Sequence, residues 1–242
     1  MTSGADLAAA IERHIAAVGT AKRAVGEKAY LKSDLEFLGA TVGAIREITG
    51  HIKRDHPDLS HAKMLATVRA LWKRPVHECR AAAVDLLMLY SDLLEPHDLK
   101  LIEQMLRQSK TWALVDYLAA AVVGGLVDRY PQLNTEMDRW AKDDDFWIRR
   151  SALLAHLGSL RRGEGDFERW AGYADSMLEE KEFFIRKAIG WVLRDTARKR
   201  PDLVYEWLLP RAHRASGVTV REACKRVSEA QKQAIMAEYQ RP

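Results

Sequence analysis

Asp116 is the residue of this sequence best placed to do chemistry, because Trp112 lies four positions before it, one turn away on the same face of a helix. A carboxylate and an indole on one face both attract cationic groups, the electron-rich ring by about 0.5–2 kcal/mol. Trp191, which follows the basic pair Arg186–Lys187, is a second indole of the same kind. A single helical aspartate is more often a solvated residue or an ion-pair partner, and a tryptophan is more often core. The group therefore acquires meaning only from the elements that carry it.

Motifs for other chemistry are missing. The eight histidines include no HExxH pair, and no Cys/His cluster has zinc spacing. No glycine-rich phosphate loop and no GxSxG elbow occurs. The sequence thus points to no metal and no organic cofactor.

The elements that must position these side chains are helices. Alternating β-branched runs with hairpin turns do not appear. In 80–94, Ala83, Leu86, Leu87, Tyr90 and Leu94 make the stripe of an amphipathic helix, and Ile185, Ile189, Val192 and Leu193 repeat it. Prolines and glycines mostly fall between such stretches. Gly124–Gly125 lies inside an apolar one, where it permits close packing or marks a kink.

The helices repeat. An arginine followed closely by alanine recurs at Arg80, Arg149, Arg186 and Arg221, with gaps of 69, 37 and 35 residues. The first gap is about twice the others, and a repeat lacking the arginine centres near Val115. Pro57, Pro131 and Pro201, each two residues before a leucine, are spaced 74 and 70, with Pro96 between the first two. A period of about 35 residues built from two helices is that of an α-solenoid. The expected fold is all-α, a superhelix of HEAT-like repeats forming one domain over residues 1–242.

In such a stack, Arg80, Arg149, Arg186 and Arg221, joined by Arg150 and Lys187, form a ladder along the concave side. Asp116 takes the place of Arg150 and Lys187 in the alignment, a carboxylate where cations otherwise stand. The net charge of +4 does not identify a partner. Most of the surplus sits in the second half, which includes the dense stretch Arg194 to Arg200. From spacing alone, nucleic acid and protein are equally open as partners of this face. Two distant cysteines, Cys79 and Cys224, suit a reducing compartment. No apolar run is long enough to span a membrane, and 1–10 lacks the pattern of a signal peptide, so a cytoplasmic protein is expected.

The stretch from Glu182 to Arg194, Glu-Phe-Phe-Ile-Arg-Lys-Ala-Ile-Gly-Trp-Val-Leu-Arg, closely resembles the AlkD-type DNA alkylation repair glycosylases, a HEAT-like repeat family. So do Leu71-Trp72 to Tyr90, Lys110-Thr111-Trp112 to Asp116, and Phe146 to Arg150. The resemblance implies a positive groove that holds duplex DNA, and cleavage of the N-glycosidic bond of N3- or N7-alkylated purines without flipping the base. By motif match it gives Asp116, Trp112 and Trp191 to catalysis and Arg150 to a phosphate, and places Tyr30 beside the damaged strand. Arg149, Arg186, Lys187, Arg194 and Arg221 would bind DNA. Thr111 and Ala113 flank Trp112 where relatives carry a second adjacent tryptophan, and the chain before about residue 25 has no match. Two other readings stand beside the glycosylase: a non-catalytic paralogue that recognises unusual DNA structure, and a protein scaffold. Asp116, Trp112 and Trp191 together favour catalysis, by a monomer without metal or cofactor.

Overall fold

In the computed structural model, which describes residues 3–240, the described residues are helical almost throughout, with one isolated β-bridge between Glu36 and Val76. The four residues at the ends of the expected 1–242 domain lie outside them. The chain divides into two compact units, Met1–Leu118 and Ala119–Pro242, and the division falls at a π-helical segment, Leu118–Val123.

Unit 1 holds α1 (Gly4–Val18), α2 (Ala21–Leu31), α3 (Val42–Asp55), α4 (His61–Trp72), α5 (His77–Leu89), α6 (Leu99–Ser109) and α7 (Trp112–Tyr117). Unit 2 holds α8 (Gly124–Arg129), α9 (Asn134–Trp140), α10 (Phe146–Ala155), α11 (Leu157–Arg162), α12 (Phe167–Ser176), α13 (Phe183–Thr196), α14 (Pro201–Leu208), α15 (Gly217–Ala223) and α16 (Glu229–Tyr239). Helix starts are set by side-chain caps. Thr20, Thr41, Ser60, Thr111, Asp145, Asp166 and Ser216 each accept a backbone N–H of the first turn. Pro131 and Pro201 open a helical turn, where a missing N–H costs nothing.

The core of unit 1 is aliphatic, with Ile11, Ile15, Met64, Leu71, Leu86 and Leu87 fully buried where α1, α4 and α5 meet. Each such side chain contributes about 1.5–3 kcal/mol relative to exposure. In unit 2, α13 packs against α10, α11 and α15, and Trp140 and Trp170 are fully buried.

The repeat is visible as bonds between residues one period apart. In unit 1, Thr49 donates to Asp85, Trp72 Nε1 to Gln108 (2.8 Å), and Tyr90 Oη to the His56 carbonyl (2.8 Å). In unit 2, Arg162 pairs with Asp128, Arg211 with Asp175, and Arg214 with Glu179, at 2.8, 3.0 and 3.1 Å. These partners stand 34 to 36 residues apart. Equivalent places in successive helix pairs therefore touch, as a helical-repeat fold requires.

Of the paired glycines, Gly124 serves close packing: a Cβ there would lie 2.8 Å from the Ala155 carbonyl oxygen. Gly125 faces open space.

Candidate functional site

The expected site residues divide between the units. Tyr30, Trp112 and Asp116 belong to unit 1; Arg149, Arg150, Arg186, Lys187, Trp191, Arg194 and Arg221 belong to unit 2.

In unit 1 the capping hydroxyl of Thr111 starts α7, and α7 presents Trp112, Asp116 and Tyr117 within six residues. Trp112 is 36% exposed and meets Tyr30 of α2 edge to face, with ring centroids 6.2 Å apart. Tyr30 is itself 72% exposed. The two rings help wall a largely apolar cleft of about 270 Å³, with Tyr117, Val42 and Met88 on other sides. Arg46 lies over the Tyr117 ring at 5.3 Å, a cation held on a π face. Asp116 stands half-buried one turn after Trp112, outside the cleft's own lining.

A buried carboxylate sets the position of the cleft's floor. Glu78, in the first turn of α5, accepts the backbone N–H groups of Leu38 (3.0 Å) and Gly39 (2.6 Å). Gly39 has φ +79°, and a Cβ there would strike the Thr20 carbonyl, so the loop between α2 and α3 passes this point only as glycine. Next to Glu78, His77 stacks on Phe37 at 4.7 Å, and burial pushes its imidazole below the ordinary range.

In unit 2 the cations are organised around two buried acids. Asp195, 1% exposed, accepts from Arg161 Nε at 2.8 Å, from Arg194 Nε at 3.1 Å and from Trp191 Nε1 at 3.3 Å, with Arg198 at 3.7 Å. Glu222 pairs with Arg194, with Lys187 at 3.2 Å and with Lys225 at 2.8 Å. Burial pulls the Glu222 carboxyl upward, but the bonds from Lys225 and Lys187 and the charge of Arg194 hold it below the usual range. Five basic side chains thus surround two carboxylates, and the ridge keeps a positive excess. Lys187 and Arg194 are partly exposed; Arg221 is exposed and pairs with no acid among the described residues.

The other basic candidates turn inward. Arg149 grips Glu180 with two parallel bonds of 3.0 and 2.8 Å, and its remaining Nη1 donates to the carbonyls of Asp143 and Asp144. Arg186, its counterpart one repeat on, donates Nε to the Glu180 carbonyl at 2.6 Å. Arg150 is 2% exposed; its Nη1 donates to the Phe184 carbonyl, and its guanidinium lies 5.8 Å from the Phe184 ring. Arg149 and Arg150 thus brace neighbouring repeats, whereas the Arg186 bond stays within its own. The repeat spacing of the basic residues does not reveal the acids that bind some of them. Their signal was present: Asp195 follows Arg161 by 34 residues and Glu222 follows Lys187 by 35, one repeat each.

The model of a family described as DNA alkylation repair enzyme matches residues 11–227. The chain belongs to that family. Membership gives it a role in the repair of alkylated DNA and makes DNA its partner, and every candidate residue from Tyr30 to Arg221 falls inside the matched span. Among solved structures, the chain is similar to one titled a predicted DNA alkylation repair enzyme from Enterococcus faecalis. The TM-score is 0.78 and the identity 22%, covering 87% of this chain and 97% of that one, which shows a shared helical-repeat fold. No curated protein sequence matches. No helix of the described residues is long and apolar enough to cross a membrane.

Proposed function

We propose that this member of the DNA alkylation repair family is a glycosylase that releases N3- or N7-alkylated purines from duplex DNA by hydrolysis, leaving the base stacked rather than flipped. The observation that carries the reading is Asp116, half-buried on α7 one turn after Trp112, whose exposed indole stands against Tyr30 beside an open cleft.

Alkylation at N3 or N7 puts a positive charge on the purine and makes it a leaving group that needs no protein acid. The bond between C1′ and the base nitrogen breaks, its electron pair goes to the purine, and the sugar gains oxocarbenium character. Asp116 stabilises that charge and takes the proton of the water that attacks C1′, so the products are a neutral alkylpurine and an abasic sugar. Trp112 and Trp191 offer π faces to the cationic groups. Lys187, Arg194 and Arg221 neutralise phosphates, while Arg149 and Arg150 hold the repeats that carry them. Leaving the base in the stack removes the need for a pocket that encloses it.

The test is release of 7-methylguanine or 3-methyladenine from alkylated duplex by the parent and by Asp116→Asn. Release falls by about 10²–10⁴-fold in the variant while DNA affinity is kept, the range that a positioned acid–base group supplies. Equal release by both proteins removes Asp116 from the chemistry. Binding without release by either favours the non-catalytic DNA-binding reading.

A further inference from the structure

We propose that His61, His97 and Asp98 of unit 1 form a zinc site that clamps one helical repeat to the next. His61 is the first residue of α4, and His97 and Asp98 close the 3-10 turn Pro96–Asp98 that leads into α6. The two histidines are 36 residues apart, one repeat, so the stacking itself brings them together. Local spacing in the sequence could not reveal the pair.

Three features suit a metal. One nitrogen of each ring and one carboxylate oxygen all lie within 4.8 Å of one another. Ligands of a tetrahedral zinc at bonds of about 2.0–2.2 Å stand roughly 3.4 Å apart, so closure needs only a small turn of His97, whose side chain is 67% exposed. Second, Asp98 is 3% exposed and both its oxygens face imidazoles: Oδ2 is 2.8 Å from His61 Nε2, and Oδ1 is 3.7 Å from His97 Nε2. Among the described residues no lysine or arginine pairs with it. The Glu95 backbone N–H also donates to Oδ2 at 2.9 Å, but a neutral donor does not balance the charge of a buried carboxylate as a divalent cation would. Third, Glu95 Oε2 is 3.2 Å from His97 Nδ1. A carboxylate on the far nitrogen fixes the tautomer and leaves Nε2 free to bind metal, the usual support of a zinc-bound histidine. The rings stand at 81° with centroids 5.7 Å apart, so both reach one point without stacking.

Two imidazoles and one carboxylate select zinc over magnesium or calcium, and the exposed side leaves the fourth position to water. Bound there, the ion joins the start of α4 to the turn before α6 and stabilises unit 1.

The full chain, stripped with a chelator, is titrated with Zn²⁺ alone by calorimetry, with Co²⁺ absorbance as a second readout and thermal unfolding followed with and without metal. One zinc per chain binds, Tm rises, and His97→Gln and His61→Gln each weaken binding by at least tenfold and abolish the rise. His97 is exposed, so its variant folds. No uptake by the parent, or equal uptake by both variants, overturns the site. Alkylpurine release does not enter this test, so the glycosylase reading stands or falls separately.

Discussion

Asp195 holds three arginines and the Trp191 indole, yet is almost wholly removed from solvent. Replacing it with asparagine leaves those cations without their shared acid. A broken buried pair costs about 3–5 kcal/mol, but the arginines are 26–48% exposed and water screens them, so Asp195→Asn should destabilise by roughly 1–3 kcal/mol in urea unfolding. His156 carries a different signature. Burial pushes its imidazole down to about 4 from 6.5, and Nε2 has no hydrogen-bond partner. Between those values the unfolded chain binds a proton that the folded chain refuses. Stability is therefore complete above pH 6.5 and declines as pH falls towards 4, by about 3 kcal/mol over the window. His156→Phe should flatten that slope in denaturation measured across pH. The Glu222 carboxyl, held low by its lysines, adds a second loss only below about 4.5, as it gains a proton. At this scale the one-turn spacing of Asp116 and Trp112 on a shared helix was legible from the sequence. The inward turn of Arg149 was not, because its acid, Glu180, lies 31 residues away and no local pattern marks it.

Among the elements, the helices were read most directly, since apolar stripes and capping residues are local signals. The stripe expected over 80–94 became α5 only as far as Leu89, with Tyr90 as its cap, a 3-10 turn at Ser91–Leu93 and Leu94 in extended backbone; the second of the two became α13. The π-helical segment Leu118–Val123 left no comparable mark in the apolar run that contains it. Gly124 and Gly125, adjacent and identical in type, make a sharp contrast. Alanine at 124 pushes a Cβ to 2.8 Å from the Ala155 carbonyl, fixed backbone that cannot swing aside, and should cost about 1–3 kcal/mol. Alanine at 125 meets nothing and replaces a helix-interior glycine, a gain of about 0.5–1 kcal/mol. Paired thermal melts check both. If the two variants shift in the same direction, the close approach of α8 to α10 and its following turn is not what makes Gly124 necessary.

For the molecule as a whole, the period of about 35 residues was legible because arginine–alanine and proline–leucine marks recur in register. What the period connects was not, since each mark names one partner of a pair and the other belongs to the next repeat. Charge follows the same division. Unit 1 has 16 lysines and arginines against 15 acids, and unit 2 has 22 against 19, so neither is strongly basic in bulk. Binding to DNA must then come from a few cations rather than from net charge, and if the DNA is duplex, affinity should fall with salt by about 0.9 log units per log unit for each phosphate neutralised. Alanine at Lys187 or Arg221 should lower that slope by up to about 1, read by anisotropy at several salt concentrations. Alanine at Arg149 should instead lower the melting temperature and leave the slope in place. Helix α2 has a different kind of freedom. It carries Tyr30 to the rim of the cleft but buries none of its own side chains. Mutations along it meet little resistance from the interior, so under the proposed glycosylase activity the repertoire of adducts can drift, or be redirected by an engineer, through this one segment while the remainder of the chain keeps its sequence.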